Sequence, residues 1–203
     1  MLAVMTTPGS GQPPGLTSDA DLARATVGAV TPHNAPIVLA EYDPAWPELF
    51  AREAARIRSL LGGTARLVEH AGSTSVPGLA AKPIIDIVLA VPDSADEAAY
   101  VPQLEAGGYV LRIREPDWHE HRLFKGPDTD INLHVFTVGS AEAERMLGFR
   151  DWLRDHPADR DEYLAVKREL AGRTWRHVQH YADSKSTVVE EIIARARAGQ
   201  APR

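Results

Sequence analysis

Glu69-His70-Ala71-Gly72-Ser73-Thr74-Ser75-Val76-Pro77-Gly78-Leu79-Ala80-Ala81-Lys82-Pro83-Ile84-Ile85-Asp86-Ile87-Val88 joins a hydroxyl-rich, glycine-bounded loop to an apolar strand that carries one acidic residue. Small residues let backbone N–H groups turn toward an anion, and a carboxylate fixed on a neighbouring strand can hold the metal that neutralises it. The run from Ile84 to Val91 is almost continuously apolar and β-branched, which predicts a strand in the middle of a sheet, buried on both faces. Asp86 is costly there: an ionised carboxylate on a central strand needs a metal, a cation or several donors, unless it stands at the strand's open end.

Working outward, Arg66 to His70 reads as the preceding strand and Gly72 to Lys82 as the connecting loop. Upstream, Phe50, Ala54, Ile57 and Leu61 repeat at helical spacing, Asp43-Pro44 supplies an N-cap with proline at the first helical position, and Gly62-Gly63 stops the helix. Ile37-Val38-Leu39 reads as a short strand, and residues 1–35, poor in large apolar side chains, as a disordered tail. Downstream, Ser94 to Ala106 has helical composition interrupted by Pro102, and Tyr109 to Arg114 alternates like a strand. Gly126-Pro127-Asp128-Thr129 separates His121–Lys125 from Ile131–Thr137, a hairpin signal. Helices are then expected from Ser140 to just before Pro157, over about 158–171 and over about 183–198, within one domain spanning 36–198.

The 203 residues, 44% hydrophobic and 25% charged, suit one domain with a full core. No apolar run approaches the roughly 20 residues that span a bilayer, and the first residues lack signal-peptide order, so a cytoplasmic protein without membrane partners is expected. Zero cysteines exclude disulfides, thiolate metal sites and cysteine nucleophiles. A formal charge of −6 argues against non-specific nucleic-acid binding, whose affinity comes mostly from Lys and Arg.

Gly72-Ser73, followed after twelve residues by Asp86 on an apolar strand, matches the opening of the nucleotidyltransferase pattern. That pattern pairs a Gly-Ser at a helix N-terminus with a strand bearing two carboxylates that bind divalent metal. Here the second carboxylate position is Val88. The competing account is a tight Ser/Gly/Pro loop in which Asp86 caps a backbone amide. His70 ends the strand before the loop, His119 and His121 flank Glu120, and His134 shares a strand face with Asn132, opposite Leu133 and Val135. If the hairpin adjoins the Asp86 strand, His134, His121 and Asp86 share a pocket; each histidine alone is equally readable as a core residue satisfied by a carbonyl. Lys82, Arg122 and Lys125 are candidate phosphate cations, and Lys82 alone is equally a solvated loop residue. Arg150, Arg154 and His156 read either as a cationic wall or as the outer face of a helix whose Phe149, Trp152 and Leu153 pack inward.

The same segment, together with Leu133-His134-Val135, Phe149 through Pro157, Tyr163, Lys167, Tyr181 and Lys185, resembles the GrpB family over about residues 36–196. The resemblance implies an α/β (α+β) nucleotidyltransferase-like fold, a mixed β-sheet flanked by helices with a helical C-terminal portion. A similar domain fused behind dephospho-coenzyme A kinase in some actinobacterial proteins points toward nucleotide or coenzyme A metabolism.

The expected function is therefore an enzyme that binds ATP or another nucleoside triphosphate through Gly72, Ser73, Thr74 and Ser75 and transfers a nucleotidyl group to a small-molecule acceptor, directly or through an adenylylated carboxylate. Asp86, His134 and His70 are the expected ligands of a divalent metal, Mg2+ or Mn2+ or, given the histidines, Zn2+. Asp86, His134 and His121 are the expected catalytic groups. Two other readings stay open: a catalytically degenerate nucleotide- or protein-binding module acting in regulation or folding, which Val88 favours, and a histidine-metal phosphoester hydrolase. The acceptor and the oligomeric state are not encoded legibly.

Overall fold

The computed structural model describes residues 15–199. In chain order the elements are α1 (Asp19–Ala25), α2 (Trp46–Leu61), β1 (Leu67–Ala71), β2 (Ile85–Val91), α3 (Val101–Ala106), β3 (Val110–Glu115), β4 (His121–Lys125), β5 (Ile131–Thr137), α4 (Ala141–Asp155), α5 (Pro157–Ala171), α6 (Val178–Asp183) and α7 (Ser186–Gly199). The strands form one mixed sheet in the order β1-β2-β5-β4-β3. β2 runs antiparallel to β1 and parallel to β5, so the apolar run is an interior strand as its composition requires.

Period two then sorts the side chains. Ile85, Ile87, Leu89 and Val91 of β2, with Ile131, Leu133 and Val135 of β5, pack with Ile57 and Leu61 of α2 in the main core. The alternate positions, Val88 of β2 and Phe136 of β5, pack with Ala71 and Ala143 in a smaller cluster beneath α4. Asp86 pairs in register with Asn132, and Val88 with His134, all on this second face. The helices α4 to α7 cover that side, and the space left between them and the sheet is where Asp86 is found.

Several boundaries differ from the sequence expectation. Within the expected tail, residues 1–14 lie outside the described residues, but Asp19–Ala25 is a helix: the Ser18 hydroxyl caps it by accepting from the Asp21 amide, and Leu22 and Ala25 are buried. The chain then adds to the outer edge of β3, with Val27 N donating to Arg112 O, which occupies groups an edge strand would otherwise leave open. Ile37-Val38-Leu39 is not a strand; Ile37 packs with Leu170, Trp175 and Tyr181, and the neighbouring Ala40 bridges Ala81. α2 starts at Trp46, because Asp43 closes a turn by accepting from the amides of Ala45 and Trp46. Pro102 falls in the first turn of the short α3 and does not interrupt a longer helix. The expected last helix over about 183–198 is α7, which starts at Ser186, and an additional short helix, α6, precedes it across a turn at Ser184 and Lys185.

Candidate functional site

Ser73–Ser75 forms a single turn of 3-10 helix after β1, so the Gly-Ser pair does not stand at the N-terminus of a full helix as the nucleotidyltransferase pattern expects. Gly72 has φ +65°, and a Cβ there would collide with Oδ2 of Asp86: glycine is what lets the loop lie against the carboxylate. Two of the expected phosphate-binding hydroxyls are engaged within the loop. Ser75 Oγ donates to Gly72 O at 2.6 Å, and Thr74 Oγ1 donates to Ile84 O at 3.3 Å. Ser73 lines the same cavity as Tyr163, whose hydroxyl pKa burial pushes up to about 12.

Above the loop lies a cavity of about 500 Å³ lined by Gly72, Ser73, Thr74, Lys82, Asp86 and Asn132 from the sheet side and by Arg145, Phe149, Tyr163, Lys167, Tyr181 and Lys185 from the helices. Ser73 and Asp86 therefore share one pocket. Asp86 is 18% exposed at its side chain, and its Oδ1 accepts from Asn132 Nδ2 at 2.7 Å. Burial alone would raise its pKa; the contacts from His134 and Asn132 outweigh that and hold the carboxyl well below the usual range.

The sequence had pointed to histidines around this acid, and the structure puts them behind it. His134 Nε2 is 3.7 Å from Asp86 Oδ1, too long for a hydrogen bond, and its Nδ1 lies 3.1 Å from His121 Nε2. His121 Nδ1 in turn lies 2.7 Å from Glu115 Oε2. Burial lowers the His134 pKa to about 4, and burial lowers His121 as well despite Glu115. Neither histidine lines the cavity; they form a buried row beneath it. His70 is on the other face: its register partner is Ile87, it stacks on Phe50 of α2 at 4.8 Å, and its Nε2 meets Thr74 Oγ1 at 3.1 Å. Period two separates it from Asp86, and the expected ligand set Asp86, His134 and His70 does not converge.

Arg122 and Lys125 also leave the expected phosphate site. Arg122 alternates with His121 along β4 and so turns away from it, where its Nε donates to Glu97 at 2.6 Å; Lys125 pairs with Asp130 at 2.9 Å near the hairpin turn. Lys82 does line the cavity. Two further lysines do so from the C-terminal helices, where spacing alone gave no reason to join them to a loop some 90 residues earlier. Lys167 of α5 is 3% exposed and donates to Ala80 O at 2.5 Å; Lys185 is 6% exposed, with Nζ 4.3 Å from the centre of the Tyr181 ring. Burial lowers Lys82 to about 8, with the like charge of Lys185 adding to it; burial lowers Lys185 to about 8; and burial, then Lys185, lowers Lys167 further below its ordinary value. Arg145 faces the same space but is paired with Glu142 at 2.6 Å. Three amines thus share one cavity with the carboxylate of Asp86, while Glu142, which also lines it, is paired with Arg145 and Glu190 stands on the α7 wall, inside a chain of net charge −6.

These donors do not suit a protein-held metal ion. Among the described residues no group of three or more His, Asp or Glu side chains is close enough to hold one. Where a second strand carboxylate would stand, Val88 is fully buried against Phe136, Ala71 and Ala143. Arg150 and Arg154 are neither an outer face nor a free cationic wall: Arg150 donates to Glu69 and to His70 O, and Arg154 donates to Ser75 O, tying α4 to β1 and the loop.

Comparison with known proteins places this geometry in a family. Residues 36–195 match the model of the GrpB protein family. A UPF0157 protein of Halalkalibacterium halodurans is 67% identical over 181 residues, covering 89% of this chain and 93% of its own. The crystal structure of the conserved protein GrpB from Enterococcus faecalis superposes with a TM-score of 0.70 at 33% identity, covering 80% of this chain and 98% of that one. A dephospho-CoA kinase of Mycolicibacterium paratuberculosis is 30% identical over 188 residues, covering 80% of this chain but 46% of the kinase.

Proposed function

We propose, for a chain that belongs to the GrpB protein family, that the cavity over Asp86 binds a phosphorylated small molecule of nucleotide size and transfers its nucleotidyl or phosphoryl group to a small acceptor. Lysines, in place of protein-held metal ions, carry the counter-charge. The observation that carries this reading is the convergence of Lys82, Lys167 and Lys185 on one cavity beside Asp86. Buried amines in low dielectric stabilise negative charge far more than solvated ones do, on the bound phosphates and on the departing group alike. In the reaction a P–O bond to the leaving phosphate breaks and a bond from phosphorus to the acceptor forms. The acceptor's proton passes to the amine of Lys167, which burial and the like charge of Lys185 bias toward its neutral, proton-accepting form. Lys82 and Lys185, when protonated, hold the phosphates. Asp86, ionised and fixed by Asn132, orients the amines.

The relatives called dephospho-CoA kinase support a nucleotide-bearing ligand, although this chain corresponds to less than half of their length. A second reading, binding without turnover, is favoured by Val88: apolar packing occupies the position where two-metal nucleotidyl transfer places its second acid.

Thermal-shift titration with ATP, ADP and pyrophosphate in EDTA tests the binding. A ligand at 100 times its dissociation constant adds about 2.7 kcal/mol of stability. We expect that gain in wild type and its loss in Lys185→Met; a gain that appears only when a divalent ion is added contradicts the lysine account. Incubating the protein with ATP and a small-molecule extract then separates the readings, since pyrophosphate or ADP release marks transfer and ATP recovered intact marks the binding module.

A further inference from the structure

The cavity has a second, chemically different half. Away from the lysines it runs between α4 and α7, where Met146 and Phe149 face Val189 and Ile193. Phe149 and Val189 flank the contact between the helices and Met146 the cluster beneath α4, and all four also line the cavity. Leu153 of α4 and Val188 and Ile192 of α7 are the buried side chains of that contact. On α7, Val189 and Ile193 follow Val188 and Ile192 by one residue each, so they form an adjacent stripe turned by about 100°. That stripe is only partly buried, a position where a surface helix ordinarily carries polar residues, yet it is apolar and faces the cavity. The volume of about 500 Å³ also exceeds what a bare phosphate fills and falls in the range of sites for drug-sized organic ligands.

Resting on the phosphate reading above, we infer that the ligand is a phosphate ester or anhydride joined to an apolar group. The phosphate lies against Lys82, Lys167 and Lys185, and the apolar group lies between Met146 and Phe149 of α4 and Val189 and Ile193 of α7. The lysines fix the charged end, and the distance from them to the α7 stripe sets which organic phosphates are accepted. Bare inorganic phosphate fills one half and leaves the other to water.

Isothermal titration of the full chain with inorganic phosphate, hexyl phosphate and hexanol tests this. Burying even two methylenes gives about a tenfold gain in affinity. We expect hexyl phosphate to bind at least about tenfold tighter than inorganic phosphate. In Ile193→Glu, and independently in Met146→Glu, that advantage should shrink severalfold while inorganic phosphate binds as before; both positions are partly exposed, so two separate substitutions guard against loss of folding. Equal affinity for the two phosphates overturns the apolar arm and leaves the lysine site standing. Hexanol binding as well as hexyl phosphate, with Lys185→Met indifferent to either, overturns the phosphate reading together with this inference.

Discussion

Nδ1 of His134 and Nε2 of His121 lie 3.1 Å apart, their rings stacked at 5.2 Å, both sealed beneath the carboxylate that faces the cavity. An imidazole held this way works as a support. It fixes the strand face from which Asp86 rises, and it remains neutral because burial opposes its charge.

Acid should therefore destabilise the protein before its carboxylates titrate. His134 and His70 are each lowered from 6.5 to about 4 by burial. Between those values the unfolded chain binds protons that the native chain does not, so stability falls as pH drops from 6.5 toward 4 and is retained above 6.5. The loss is on the order of 3 kcal/mol per histidine at most. Urea unfolding at pH 7, 5.5 and 4.5 measures it, and His134→Asn should flatten the slope.

The lysines give a slope of the same sign on the alkaline side. Lys82 and Lys185 titrate near 8 in the fold against 10.5 when free, so above pH 8 the unfolded state holds the extra protons and stability rises with pH. Above about 10 the rise reverses, because tyrosines such as Tyr163, raised to about 12, begin to ionise in the unfolded chain first. Anion affinity runs the other way. It is full below pH 8 and lost as pH climbs through 8, and calorimetry in buffers of different ionisation heat should show proton uptake on binding.

Gly72→Ala places a methyl group against Oδ2 of Asp86 at a φ of +65°. Strain of this kind costs about 1–3 kcal/mol. The substitution should lower the unfolding midpoint and also weaken anion binding, by displacing the loop from the carboxylate. An unchanged midpoint would show that the loop can move aside freely.

Arg150→Ala should loosen α4 from the sheet, because Arg150 is buried and its guanidinium reaches both Glu69 and His70 O. Losing hydrogen bonds to a charged group costs about 1.5–3 kcal/mol each. Arg150→Lys recovers only part, since an ammonium cannot reproduce the forked geometry. Hydrogen exchange of the β1 amides reads the effect locally.

Much of this was legible in the sequence where local pattern and physics coincide. The buried strand of Asp86, the hairpin at 121–137, the placing of Asn132 and His134 on one face and the meeting of Ser73 with Asp86 all follow from periodicity and loop chemistry. The errors came where side-chain direction or distant contact decides. His70 has the right neighbours in sequence but the wrong parity on β1, and Arg122 the wrong parity on β4. The tail looked too polar to fold, yet it needs only Leu22 and Ala25 to bury against an existing edge. Lys167 and Lys185 reach the site because α5 and the α6–α7 turn pack across the sheet, and no local signal encodes that. Residues noted through family resemblance found them; spacing did not.

No helix among the described residues is long and apolar enough to cross a membrane. The apolar surface that matters lies inside the cavity, next to the three amines.

Whether those amines seat a phosphate is best asked by titrating ATP in EDTA into wild type and into Lys82→Met and Lys185→Met. We expect binding by wild type without any divalent ion and at least about a tenfold loss in each variant, as for removing a charged hydrogen-bond donor of about 1.5–3 kcal/mol. Equal affinity in all three proteins, or none in wild type until magnesium is supplied, would contradict it.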